Sequence, residues 1–159
     1  MCLERAGLAG PALGKGRPRA VVVAPTREVA LQAAAVCQRL AAALPGAGPR
    51  PVCEAFVGGL PEEADRRKLL RPCHVVCGTP GRLRALAAGG ALPADFVRTL
   101  VLDEADRLLG GGFEADLARL LQLLPPRKQV LAFSATFPDA LLHRWVGRPG
   151  RARRGAPGG

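Results

Sequence analysis

No stretch of 18 or more apolar residues occurs in the 159-residue chain, so no segment is expected to cross a bilayer as a helix. Residues 1–10 carry an acid and a base and no hydrophobic segment, so no secretory leader is expected from them. The five cysteines (Cys2, Cys37, Cys53, Cys73 and Cys77) are odd in number and form no CxxC pair. That pattern argues against a disulfide frame or a zinc site, and for reduced thiols in an intracellular protein. Cys73, His74 and Cys77 look like a ligand cluster, but alternation along a strand places His74 on the face opposite both cysteines. A phosphate-binding loop is also missing. Gly14-Lys15-Gly16 imitates the end of GxxxxGK[ST], yet Ala9 stands where the first glycine belongs and Gly16 where the Mg²⁺-binding hydroxyl belongs.

What is present is a body long enough for one domain with a core, 48% apolar. The formal charge of +10 sits mostly in the two ends. Residues 1–20 hold four bases against one acid, and residues 144–159 hold five arginines and no acid. Between them 14 bases face 12 acids, so the basic balance describes the ends and not the body. A basic tail attracts nucleic acid without specificity.

The stretch Val101-Leu102-Asp103-Glu104-Ala105-Asp106 organises the rest. An apolar run ends abruptly in three acids within four residues, as a buried parallel strand does when its carboxyl end faces a ligand. Two adjacent carboxylates there suit nucleotide hydrolysis, one holding Mg²⁺ through its water shell and the other orienting a water. Four further strands are predicted, each followed by polar punctuation. Ala20–Ala24 leads into Pro25-Thr26-Arg27-Glu28 and a long Ala/Leu helix to about Leu44, with Thr26 as its N-cap. Val52–Val57 ends in Gly58-Gly59, and a charged helix over Pro61–Leu70 follows. His74–Cys77 runs into Gly78-Thr79-Pro80-Gly81-Arg82, where Thr79 suits an N-cap and Pro80 the first helical position. Arg82 is expected to face outward beside that helix N-terminus, as a sugar–phosphate backbone would require. A turn is expected over Arg107–Gly112, and an amphipathic helix over Phe113–Leu124. The last clear strand, Gln129–Phe133, ends in Ser134-Ala135-Thr136, and a final helix is expected over Pro138–Val146. Strands alternating with helices imply an α/β fold with one parallel sheet.

Taken together, Ala24-Pro25-Thr26-Arg27-Glu28, Gly58-Gly59, Thr79-Pro80-Gly81-Arg82, Asp103-Glu104-Ala105-Asp106 and Ser134-Ala135-Thr136 resemble, in order and spacing, the first RecA-like domain of the DEAD-box RNA helicases over roughly residues 20–150. The resemblance implies a RecA-like parallel sheet with helices on both faces, and ATP, Mg²⁺ and RNA as ligands. It implies that Asp103 holds Mg²⁺ through water, that Glu104 acts on the attacking water, and that Asp103 and Glu104 together face the nucleotide. Asp106, Ser134 and Thr136 would couple hydrolysis to strand separation. Pro25, Thr26, Arg27, Gly58, Gly59, Thr79, Pro80, Gly81 and Arg82 would grip the RNA backbone without reading its sequence. Phe56-Val57-Gly58-Gly59 and Arg71-Pro72-Cys73-His74-Val75-Val76 further resemble the DEAD-box component of the SMN/Gemin complex, which adds that complex's proteins as expected partners. Cytoplasmic or nuclear localisation, or both, is expected.

The departures from the family pattern are as informative. The Q motif, the P-loop with its strand, and the second RecA-like domain are absent from these 159 residues, so the sheet is expected to be incomplete. The expected division is a loose Gly/Pro/Arg-rich segment over 1–19, a partial motor domain over 20–147 and a disordered basic tail over 148–159. The chain by itself is expected neither to hydrolyse ATP nor to unwind RNA. Two other readings stand beside the helicase one: a catalytically dead RNA-binding or scaffolding module, and a small basic protein that binds RNA only through its arginine tail.

Overall fold

The apolar segments become five short strands of one sheet, and the residues that follow them reach a common edge. The computed structural model of the protein describes residues 17–45 and 49–136. In chain order it forms β1 (Ala20–Val23), α1 (Arg27–Ala42), β2 (Cys53–Phe56), α2 (Glu62–Leu69), β3 (Val75–Gly78), α3 (Pro80–Ala88), a 3-10 turn (Ala94–Phe96), β4 (Thr99–Leu102), α4 (Ala105–Gly110), α5 (Glu114–Leu123) and β5 (Gln129–Ala132). The sheet order is β2-β3-β1-β4-β5 and every pair is parallel. Val23 lies beside both Gly78 and Leu102, Phe56 beside Gly78, and Leu102 beside Ala132. The strands therefore end level with one another. This is the parallel α/β sheet that the alternation predicts, in the RecA-like arrangement that the resemblance implies.

Alternation along the strands divides the core in two. Val21, Val23, Phe56, Val76, Leu100 and Leu102 pack with Leu83, Leu86, Leu108, Leu117 and Leu120 from α3, α4 and α5. On the other face Ala20, Val22, Cys53, Val75 and Cys77 pack against Ala34 and Ala41 of α1. β1 reads Ala-Val-Val-Val and is buried throughout, as befits a central parallel strand with both faces covered. β5, at an edge, is exposed at Gln129 and half-buried at the other three positions.

The topology also creates a crevice. After β1 the chain moves to β2 and β3 on one side; after β4 it moves to β5 on the other. β1 and β4 are neighbours, so the gap beyond their carboxyl ends is the switch point at which open α/β sheets bind ligands.

Two expectations need correcting. Arg107–Gly112 is not merely a turn: Ala105–Gly110 is a helix, held by the buried side chains of Leu108 and Leu109 beneath a chain that the Gly110-Gly111-Gly112 run made look irregular. Residues 17–19 of the supposedly loose start are fastened. The Arg19 N–H donates to the His74 carbonyl at 2.8 Å, the Arg19 carbonyl accepts from Arg98 at 2.8 Å, and the Arg17 guanidinium lies 4.4 Å over the Phe96 ring. Residues 1–16, the helix expected over 138–146 and the basic tail lie outside the described residues.

Candidate functional site

At the end of β1, Pro25 is buried and Thr26 is extended, with φ −120° and ψ 161°. The Thr26 hydroxyl accepts the Val29 N–H at 3.3 Å, which makes it the predicted cap of α1, and Glu28 adds an acid to the first turn. Thr26→Ala should therefore cost about 1 kcal/mol, read as a lower urea midpoint with an unchanged slope.

The ends of β2 and β3 are tied to this loop by backbone bonds: Ala24 N–H donates to Gly78, and Thr79 N–H donates to Phe56. Gly59 has φ +86°, and a Cβ there would collide with the Arg27 guanidinium, so the arginine rests directly against bare backbone. Pro80 takes the first turn of α3 as predicted, but Thr79 makes no capping bond, which leaves its hydroxyl unspent on the helix. The position of Arg82 overturns the expectation that it faces outward. Its Nη1 donates to Asp65 Oδ2 at 2.9 Å and its Nη2 to the Leu60 carbonyl, with only 9% of the arginine side chain and 6% of the aspartate's exposed. The sequence could not reveal this, because the partner acid lies 17 residues earlier on a different helix.

β4 ends in the three acids. Asp103 Oδ1 accepts the Glu104 N–H at 3.0 Å, and its N–H donates to the Val23 carbonyl at 2.9 Å. Glu104 has φ 49° and ψ 52°, and it is the only non-glycine residue with positive φ among those described. A β-carbon in that region costs about 1–2 kcal/mol, so a glutamate held there marks a place where the fold serves the side chain. One carboxylate and its waters are a fitting donor set for Mg²⁺, which keeps most of its hydration shell when held by protein. Asp103 can supply that carboxylate through its second oxygen. No cluster of three metal-binding side chains occurs among the described residues, so a directly caged ion does not fit.

Asp106 joins β4 to β5. Its Oδ1 accepts the Ser134 hydroxyl at 2.6 Å, its Oδ2 accepts the Thr136 hydroxyl at 3.3 Å, and its N–H donates to Ser134 Oγ at 3.1 Å. The Ser134 bond, aided by Thr136 and backbone N–H groups, holds the Asp106 carboxyl below its ordinary value of 3.8. A lowered folded-state value stabilises the protein above pH 3.8, and that contribution disappears as pH falls through the folded value. Asp106→Asn should thus shallow the acid limb of a stability–pH profile measured by urea unfolding.

The crevice at the switch point is an open depression of about 420 Å³, lined by Pro25 and Thr26 on one side and Asp106, Arg107, Gly110, Gly111 and Phe113 on the other. Of the residues singled out in the sequence, Pro25, Thr26 and Asp106 meet here. Asp103, Glu104, Ser134 and Thr136 belong to the neighbouring β4 and β5 ends, while Gly58, Gly59, Thr79, Pro80, Gly81 and Arg82 form a second group beyond β2 and β3. Phe113 and Asp65 were missed. An aromatic straight after three glycines was a usable signal for the first; nothing local marked the second.

The described cysteines, Cys37, Cys53, Cys73 and Cys77, are free thiols within or against the core. Burial pushes Cys53 and Cys73 up to about 12. A hydrogen bond to Cys77 brings Cys37 down to about 7. His74 Nδ1 accepts the Val52 N–H at 2.9 Å, so this nitrogen is engaged by backbone.

A parallel α/β sheet whose carboxyl edge gathers adjacent acids, two hydroxyls and helix N-termini has the architecture in which open α/β sheets bind ligands. The chain belongs to the DEAD/DEAH box helicases, whose family profile matches residues 6–143. It is 43% identical over 122 residues to the "Probable eukaryotic initiation factor 4A" of Trypanosoma cruzi, covering 77% of this chain and 30% of that protein. It is 42% identical over 124 residues to the ATP-dependent RNA helicase eIF4A of Schizosaccharomyces pombe, covering 78% and 30%. With DEAD-box ATP-dependent RNA helicase 6 of Arabidopsis thaliana it shares 41% identity over 120 residues, covering 76% and 22%. The match thus spans under a third of the length of these relatives.

Proposed function

We propose that the chain is part of the first motor domain of an ATP-dependent RNA helicase, in which ATP hydrolysis is coupled to local RNA strand separation or remodelling of RNA–protein complexes. The observation that carries this is the Asp106–Ser134–Thr136 network, which binds the end of the acid-bearing strand to the end of its neighbour. A shift of Asp103 or Glu104 on loss of a terminal phosphate would be transmitted through it. Mg²⁺, when bound with ATP, would neutralise the phosphate charge. In that setting Asp103 orients the ion's waters and Glu104 holds the attacking water, while Thr26, Arg27, Gly58, Gly59, Thr79, Pro80 and Gly81 present hydroxyls, helix N-termini and a cation to the RNA backbone.

These 159 residues contain no GxxxxGK[ST] loop, and that loop is what cradles nucleotide phosphates. By themselves they are accordingly inactive as an ATPase. RNA-stimulated phosphate release that vanishes in Glu104→Gln would overturn that statement. A second reading is a nucleotide-independent RNA-binding or scaffolding module that uses the same group of residues beyond β2 and β3. Fluorescence anisotropy with single-stranded RNA, with and without ATP, made on the whole helicase of which the motor reading makes this chain a part, separates the two: affinity that rises with ATP supports the motor reading, and ATP-indifferent affinity the module. Membership of an SMN/Gemin assembly is a narrower proposal, supported only by the Phe56–Gly59 and Arg71–Val76 segments. Failure to co-purify with SMN-complex proteins from cell extract would refute it.

A further inference from the structure

The turn after β2 is held by two arginines from different helices, and they are in different states. Arg27, from the first turn of α1, lies against the Gly59 backbone, is exposed, and makes no ion pair among the described residues. Arg82, from the first turn of α3, is folded inward: one arm of its guanidinium takes Asp65 of α2 and another takes the Leu60 carbonyl. A planar fork of donors is suited to fixing two acceptors at once in a set geometry. The clasp therefore joins the Gly58-Gly59-Leu60 turn, α2 and α3 in one contact.

We propose that Asp65 is a positioning residue for the RNA interface: it holds Arg82 on the Leu60 carbonyl, so that Arg82 is a strut for the glycine turn and Arg27 is the cation facing phosphate. This rests on the RNA-binding reading above. Three observations carry it. Asp65 is the one acid of α2 that is buried, at 4% exposure, whereas Glu62 and Glu63 stay on the outer part of that helix. The Asp65 carboxyl lies above its ordinary value, chiefly through burial and with Glu62 adding to the rise, although Arg82 and Lys68 pull it down, so the ionised acid paired with Arg82 is kept there at a cost. The carbonyl that Arg82 grips follows directly on Gly59, the residue against which Arg27 rests. Losing the strut would let the turn slide away from Arg27 without removing any charge that meets RNA.

The test uses the whole chain and a fluorescein-labelled single-stranded oligouridine, with affinity measured across salt concentrations, together with hydrogen exchange of the residue 58–60 amides. Asp65→Asn should weaken binding about tenfold, the effect of one lost charged hydrogen bond. The salt slope should stay as in the wild type, and exchange at 58–60 should quicken while the sheet amides keep their protection. Arg82→Lys, which keeps the charge and loses the fork, should behave the same way. Arg27→Gln should instead shallow the slope by about 0.7, one phosphate contact to a single strand. Wild-type affinity in Asp65→Asn overturns the proposal. So does tighter binding with a slope steeper by about 0.7, which would make Asp65 a competitor for Arg82 and not its support. If the wild-type chain binds no RNA, the RNA reading fails. Exchange then decides the clasp alone, and unchanged exchange at 58–60 refutes it.

Discussion

Replacing Gly78 by alanine lowers stability by about 3 kcal/mol, which in a chain of this size moves Tm down by roughly 10 °C. Gly78 is the last residue of β3, flanked by Val23 of β1 and Phe56 of β2. A Cβ there would strike the Phe56 carbonyl oxygen and come within 2.8 Å of Leu83 Cδ2. Leu83 is fully buried in the main core, and the carbonyl belongs to a strand fixed by its own pairing, so neither neighbour can withdraw cheaply. The collision falls directly before Thr79, and relief by bending β3 would displace the start of α3. Thermal unfolding followed by circular dichroism checks the size of the effect. A Tm within 2 °C or so of wild type would mean that the β2–β3 edge yields far more easily than close packing allows.

Arg82→Met costs about 3–5 kcal/mol at neutral pH, because it strands a buried carboxylate. Asp65 already sits above its ordinary 3.8, chiefly through burial, with Arg82 as the main influence holding it down. Without Arg82 it rises further, leaving Lys68 as its cation and Glu62 as an opposing charge on the same helix. A group raised on folding adds stability that is complete below its unfolded value and is lost as pH climbs through the folded one. The gap between variant and wild type should therefore narrow from pH 7 toward pH 4 in urea unfolding. A gap of constant width would mean that Asp65 is not the group left unpaired.

These two positions show what could and could not be read from the chain. The strands were legible because Val-rich runs with polar stops have few alternatives, and the Thr26 cap because the hydroxyl, helix and acid are all local. The common edge followed from the parallel alternation. The sheet order did not: nothing in the sequence places β2 two strands away from β1 with β3 between them. The direction of Arg82 was hidden for the same reason, since α2 carries Glu62, Glu63 and Asp65 and only the crossover decides which acid meets α3. α4 was obscured by its glycines, whose flexible appearance outweighed two leucines that the core takes up.

Glu104 has a consequence for anyone who would improve this protein. Glycine there would remove a left-handed β-carbon costing about 1–2 kcal/mol, against roughly 0.5–1 for glycine's freer unfolded chain. The ion pair given up, Arg107 to Glu104 at 3.0 Å, is largely exposed and contributes little. A library screened for heat resistance alone should therefore enrich Glu104→Gly, and with it proteins that have lost the carboxylate proposed to hold the attacking water. On the proposed role of Glu104, selection for sturdiness and selection for turnover pull this one position in opposite directions, so an engineering campaign would have to hold it fixed.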